Sequence, residues 1–226
     1  MTSYIDNLRL LNRKERFYLV GFALDRPDFA LGDNFRRILQ RELNVTVPPD
    51  AFVAMDYHIS WLYAAAVMTK DDGTGQPFQV GGGIEKGNQE DIDLVIAFEE
   101  GSATQLLIIE AKGVTGWSNS QLRSKVARLK DIFGDEITPT RFPFIIPRFL
   151  IVSPRVSTRV DTKDWPVWMK QDGRVQWIRM PTPDDLLKVT RCDKDKRTTR
   201  LGGFWKVEPD PLTARVARNR RESDGD

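Results

Sequence analysis

The 226-residue chain predicts an α/β fold, a mixed central sheet flanked by helices around one core. Three observations carry that expectation. Apolar residues recur at helical spacing through the first third of the chain. Two short apolar runs, LVIAF and LLIIEA, stand close together within residues 91–113. Beyond them a long helical pattern and several strand-like runs follow in turn.

Taken in order, Asn12 and Glu15 have the spacing of a capping box, and Phe17, Val20 and Leu24 recur on one face of the helix that would follow. The breaker Asp25-Arg26-Pro27 separates it from a second helix with Asp33 as N-cap and a stripe of Phe35, Ile38, Leu39 and Leu43. Pro48-Pro49 ends that segment, and a third helix, DYHISWLYAAAVM, is predicted from Asp56. A polar turn over 69–76 leads to PFQVGGGIEK, read as a strand with a glycine bend. The runs in 91–113 form an antiparallel hairpin. Ser118 then opens a helix, SNSQLRSKVARLKDIF, striped by Leu122, Val126, Leu129 and Phe133. RFLIVS is a strand, DWPVWMKQ a short helix, VQWIRM a strand, and PDDLLKVT a helix with Pro183 in its first turn. Residues 1–196 are expected to form a single domain, and 197–226 an Arg-rich tail that is partly ordered at best.

Composition removes several classes of function. Cys192 is the single cysteine and His58 the single histidine, so a disulfide framework, a cysteine-rich zinc site and a multi-histidine metal site are all excluded. A net charge of +2 does not by itself argue for a nucleic-acid partner. The opening MTSYIDNLRLLNRKERF is too polar for a secretory signal, and WLYAAAVM is far too short to span a bilayer. A cytoplasmic protein with no membrane association is expected. Any catalytic metal would be held by carboxylates.

Such carboxylates stand at the hairpin. With a loop of Glu100 to Ala103, Glu99 faces Thr104, Asp93 falls opposite Glu110, and Asp91 falls opposite Lys112. Opposed and alternate residues share one face of a sheet, so all four emerge together at the strand ends away from the turn. Only an even slip in register preserves the cluster. Two neighbouring carboxylates repel unless a cation lies between them. A divalent ion supplies it, and oxygen-only ligands on an open site suit Mg2+ or Mn2+. Lys112 would then point at an attacking water or a phosphate. A further acid, Glu42, lies within the apolar stripe of the Asp33 helix, where a glutamate needs a partner inside the fold.

Asp93 followed by Glu110-Ala111-Lys112, with Gln121 opening the next helix, resembles the PD-(D/E)XK phosphodiesterase superfamily. The resemblance covers about residues 33–153, where the element order is similar to that family's restriction endonuclease-like αβββαβ core, here with extra N-terminal helices. It implies Mg2+-dependent hydrolysis of a phosphodiester bond. By position, Asp93 and Glu110 would ligate the metal and the Ala111 carbonyl would add a ligand. Lys112 would orient or deprotonate the attacking water, and Gln121 would sit beside the phosphate. Glu42 resembles the glutamate that some branches carry on the helix before the sheet. Ile92 stands where the motif has proline, which leaves Asp91 as an alternative to Asp93.

Plainer explanations exist for each residue. Charged residues are common at strand ends. Ser118 and Gln121 have capping-box spacing, which accounts for the glutamine without chemistry. Glu42 has many arginines to pair with. His58 reads as structural beside Tyr57 and Trp61, and the six tryptophans as core rather than base-stacking surfaces. Arg123, Lys125 and Arg128 crowd the helix after the hairpin, where they would track a phosphate backbone or simply form a solvated face. The implied partner is a nucleic acid, DNA by resemblance alone. A homodimer is left open for cutting both strands. Two rivals stand beside the nuclease: a catalytically inactive nucleic-acid-binding module of the same fold, and a hydrolase of small phosphate esters.

Overall fold

A computed structural model describes residues 2–11, 14–27, 29–70, 90–113, 117, 119–157, 159–183 and 186–210. The chain divides into two compact units. The first comprises Met1–Ala111, Trp117–Val152 and Ser157–Ile178, and the second Lys112–Gly116, Ser153–Val156 and Arg179–Asp226. The expected boundary at residue 196 therefore does not separate a domain from a tail.

The first unit is α/β, with a mixed five-stranded sheet flanked by helices. Three helices precede the sheet: α1 (Tyr4–Leu10), α2 (Glu15–Ala23) and α3 (Asp33–Leu43). Helix α1 has no counterpart among the expected elements, although Ser3 and Asp6 form a reciprocal capping box at its start. In α2 the expected stripe holds only in part, because Phe17 is buried while Leu24 is 62% exposed. Asn12, the expected cap, lies outside the described residues. Helix α3 begins at Asp33, one residue after its N-cap Gly32, and ends on Asn44 in the left-handed conformation.

Strand β1 (Phe52–His58) corrects the helix expected from Asp56. Tyr57 and His58 stay in register with Ile92 and Asp91, and helix α4 (Ile59–Lys70) starts only afterwards. Asp56 caps nothing there; it adopts a positive φ of 50° and pairs with Arg16 at 3.2 Å. The strand expected at PFQVGGGIEK lies outside the described residues.

Strands β2 (Asp91–Glu100) and β3 (Ala103–Ala111) form the expected antiparallel hairpin in the expected register, Glu99 opposite Thr104. Pairing continues one step further, to Glu100 and Ala103, so the turn is only Gly101-Ser102. Gly101 takes φ +63°, which a two-residue hairpin turn of this kind demands of its first central residue. Helix α5 (Asn119–Phe133) crosses from β3 to β4 (Ile145–Ser153), which pairs parallel to β3. A 3-10 turn (Val167–Met169) and β5 (Gln176–Arg179) complete the sheet in the order β1-β2-β3-β4-β5.

Two layers of apolar side chains cover the sheet. On one face Val95, Leu106, Ile108, Phe149 and Ile151 belong to the main core with Leu122, Val126, Leu129 and Phe133 of α5. Helix α3 lies on the other face. Arg148 stands in register with Leu107, three residues from Glu110 and so on the opposite side of the strand, and its Nη1 donates to the Leu43 carbonyl at 3.3 Å.

The second unit carries an antiparallel hairpin of β6 (Leu187–Cys192) and β7 (Phe204–Pro209). This corrects the helix expected at PDDLLKVT, and β7 is an ordered part of the segment that follows Arg197. Leu187, Val189 and Arg191 are exposed while the residues between them are partly covered, a period of two that a strand produces and a helix does not. Among the described residues no helix is long and apolar enough to cross a membrane.

Candidate functional site

Strand alternation sets the site. Val95 and Ile108 pair across the hairpin and point into the core beneath α5. Asp93, two residues before Val95, and Glu110, two after Ile108, therefore share that face. The pairing between the two strands runs from the turn to Leu94 and Ile109. There the Asp93 side chain takes over from the strand: Oδ2 accepts a hydrogen bond from the Ala111 amide at 2.7 Å. One carboxylate thus lies against the peptide that joins Glu110 to Ala111.

Glu110 is 5% exposed. An ionised carboxylate so far from water needs a cation, and Lys125 of α5 provides it, Nζ to Oε1 at 2.6 Å. The apolar stripe Leu122–Val126–Leu129 turns α5 so that Lys125, just before Val126, reaches down to the strand end. Sequence reasoning placed Lys125 on a surface that tracks phosphate. The structure places it inside the site. Its position beside a buried valine was the one available signal, since a lysine on the rim of an apolar stripe either runs its stem along the core or meets an acid there.

Asp91 and Asp93 separate cleanly. Asp91 pairs with Lys14 at 2.6 Å and stands opposite His58 on β1. Asp93 is the one that touches the end of β3. Around Asp91 lies a second polar group that the sequence did not reveal. Arg128, 2% exposed, donates to Glu90 at 3.4 Å and to the Ser60 hydroxyl at 2.9 Å. Burial pushes the His58 pKa below its ordinary 6.5; Asp91 opposes this, Arg128 and Lys14 reinforce it, and Glu90 opposes it more weakly.

Three predicted residues, Glu42, Arg128 and Arg123, are not brought to the site. Glu42 is on α3, across the sheet, exposed and paired with Arg41 at 2.6 Å. Burial on α3 centres on Leu39 and Leu43, which leaves Glu42 at the open edge of the stripe rather than its middle. Arg128 is buried, so it is not offered to a polymer. Arg123 is exposed and lines a cleft with Asp161, Asp164 and Trp165. Gln121 lies in the first turn of α5, while its side chain and Ser118 fall outside the described residues. Lys112, half-buried, directly follows β3 and opens the second unit.

Among the described residues no three His, Cys, Asp or Glu side chains gather as a metal-binding group. A divalent ion would draw on Asp93, Glu110 and the Ala111 carbonyl, with water or phosphate for the remainder. That oxygen-only donor set fits Mg2+ or Mn2+, which keep much of their water shell. Protein-family models, curated proteins and solved structures were compared with the chain, and none matches.

Proposed function

We propose that this chain is a Mg2+- or Mn2+-dependent phosphodiesterase with a restriction endonuclease-like core, acting on nucleic acid, and on DNA by resemblance. The observation that carries the reading is the 2.7 Å bond from the Ala111 amide to Asp93, which sets one acidic strand end against another on a single face of the sheet. Asp93 and Glu110 hold the ion. Lys112, next in the chain after Ala111, orients the attacking water. Gln121 at the start of α5 is assigned to the phosphate. When bound, the metal supplies the charge that activates water and steadies the phosphate oxygens.

The test is cleavage of supercoiled, linear and branched DNA, and of RNA, with Mg2+, with Mn2+ and with EDTA. Asp93→Asn, Glu110→Gln and Lys112→Ala are each expected to lose at least about a hundredfold in rate. One observation favours the inactive binding module instead: the charge of Glu110 is already balanced by Lys125. Polymer binding with no cleavage under either metal would establish that module. Hydrolysis of mononucleotides without affinity for polymers would establish the small-ester hydrolase.

A further inference from the structure

We propose that Lys125 is a resident counter-ion for Glu110, which it neutralises in the metal-free protein and leaves for the substrate phosphate once a divalent ion binds. The inference rests on the reading of Asp93 and Glu110 as metal ligands. Glu110 is 5% exposed and Lys125 holds it at 2.6 Å, with the lysine side chain itself only 18% exposed. Charges this far from water interact strongly, so a lysine ammonium and a divalent cation oppose each other at the same carboxylate. Lys125 therefore gives way. Its four-carbon stem and point charge let it do so without a fixed geometry to break, which a forked guanidinium would resist. One turn further along α5, Arg128 is tied to Glu90 and Ser60, so it stays in place. The released ammonium remains on α5 beside the ion, where it meets an anion bound to that ion.

Exchange of one cation for another gives two effects of opposite sign in one variant. Mn2+ is titrated calorimetrically into the full chain without DNA, the thermal midpoint is measured in EDTA, and plasmid cleavage is measured with Mn2+. Lys125→Met is expected to lower the midpoint in EDTA and to bind Mn2+ about tenfold more tightly than the wild type, because the competing charge is gone. It should nevertheless cleave at least about tenfold more slowly. Lys125→Arg should bind Mn2+ more weakly than the wild type, since the charge remains and the forked guanidinium resists displacement from Glu110. Should Lys125→Met fail to fold in EDTA, Lys125→Gln is titrated in its place with the same expectation. Unchanged or weaker Mn2+ binding in the neutral variants overturns the inference and leaves the metal site standing. Absence of Mn2+ binding in the wild type and every variant overturns the metal site and the inference together.

Discussion

A glutamate that is 5% exposed, as Glu110 is, keeps its charge only through a partner, and here the partner comes from a helix rather than from the sheet that carries the acid. The same logic runs through the neighbouring group of Lys14, Asp91, His58, Glu90 and Arg128, where two acids and two basic side chains surround one imidazole ring. Burial holds the His58 pKa below 6.5 in the folded protein, so on acidification the unfolded chain takes up that proton first. The stability that neutral His58 contributes is thus complete above about pH 6.5 and is lost as pH falls through the lower folded-state value. His58→Gln is expected to flatten this part of the stability curve between pH 7 and 5 in urea titrations; an unchanged slope would show that the ring does not set it. At this scale the acid pair was legible, because strand alternation and a short loop suffice to put Asp93 opposite Glu110. Lys125 as the partner of Glu110 was not, since that contact depends on the rotation of α5 over the sheet. Glu42 was misread for a related reason. The centre of an apolar stripe is fixed by what it packs against, and four apolar residues on a helical wheel leave that centre open by a large fraction of a turn.

Among the elements, the β2–β3 hairpin does most to position the site, and its turn rests on Gly101. A Cβ at Gly101 would meet nothing within 4 Å, so the objection to a side chain there is the φ of +63° alone. Gly101→Ala is expected to cost about 1–2 kcal/mol in chemical denaturation. Cross-strand amide contacts at Leu94 and Ile109 should survive in NMR spectra, because the buried faces of the two strands hold the register independently of the turn. A shift in those contacts would show instead that the turn dictates it. The hairpin and the stripe of α5 were readable because each shows a clean period. Strand β1 was not: in DYHISWLYAAAVM the strand ends and α4 begins without a glycine or proline between them, and Asp56 imitates an N-cap. Strand β6 was mistaken for a helix because LLKVT is too short to separate a period of two from one of 3.6, and Pro183 looked like a helix start.

Across the whole chain, the division into two units was invisible to local patterns because the second unit is assembled from three separate segments. In its hairpin, β6 and β7 form a two-stranded sheet of their own. Gly202 fixes the geometry between these strands. A Cβ there would lie 2.0 Å from the carbonyl oxygen of Cys192, a backbone atom that cannot step aside without moving β6. Cys192 is buried and stands in register with Phe204, so such a movement opens the hairpin at that pair. Gly202→Ala is therefore expected to remove amide-exchange protection from 187–192 and 204–209. Protection in β1, β2 and β3, strands of the first unit, should be unchanged. Loss of protection in β2 and β3 together with the hairpin would mean that the two units unfold as one, and the acid pair at Asp93 and Glu110 would then depend on a glycine more than ninety residues away in the sequence.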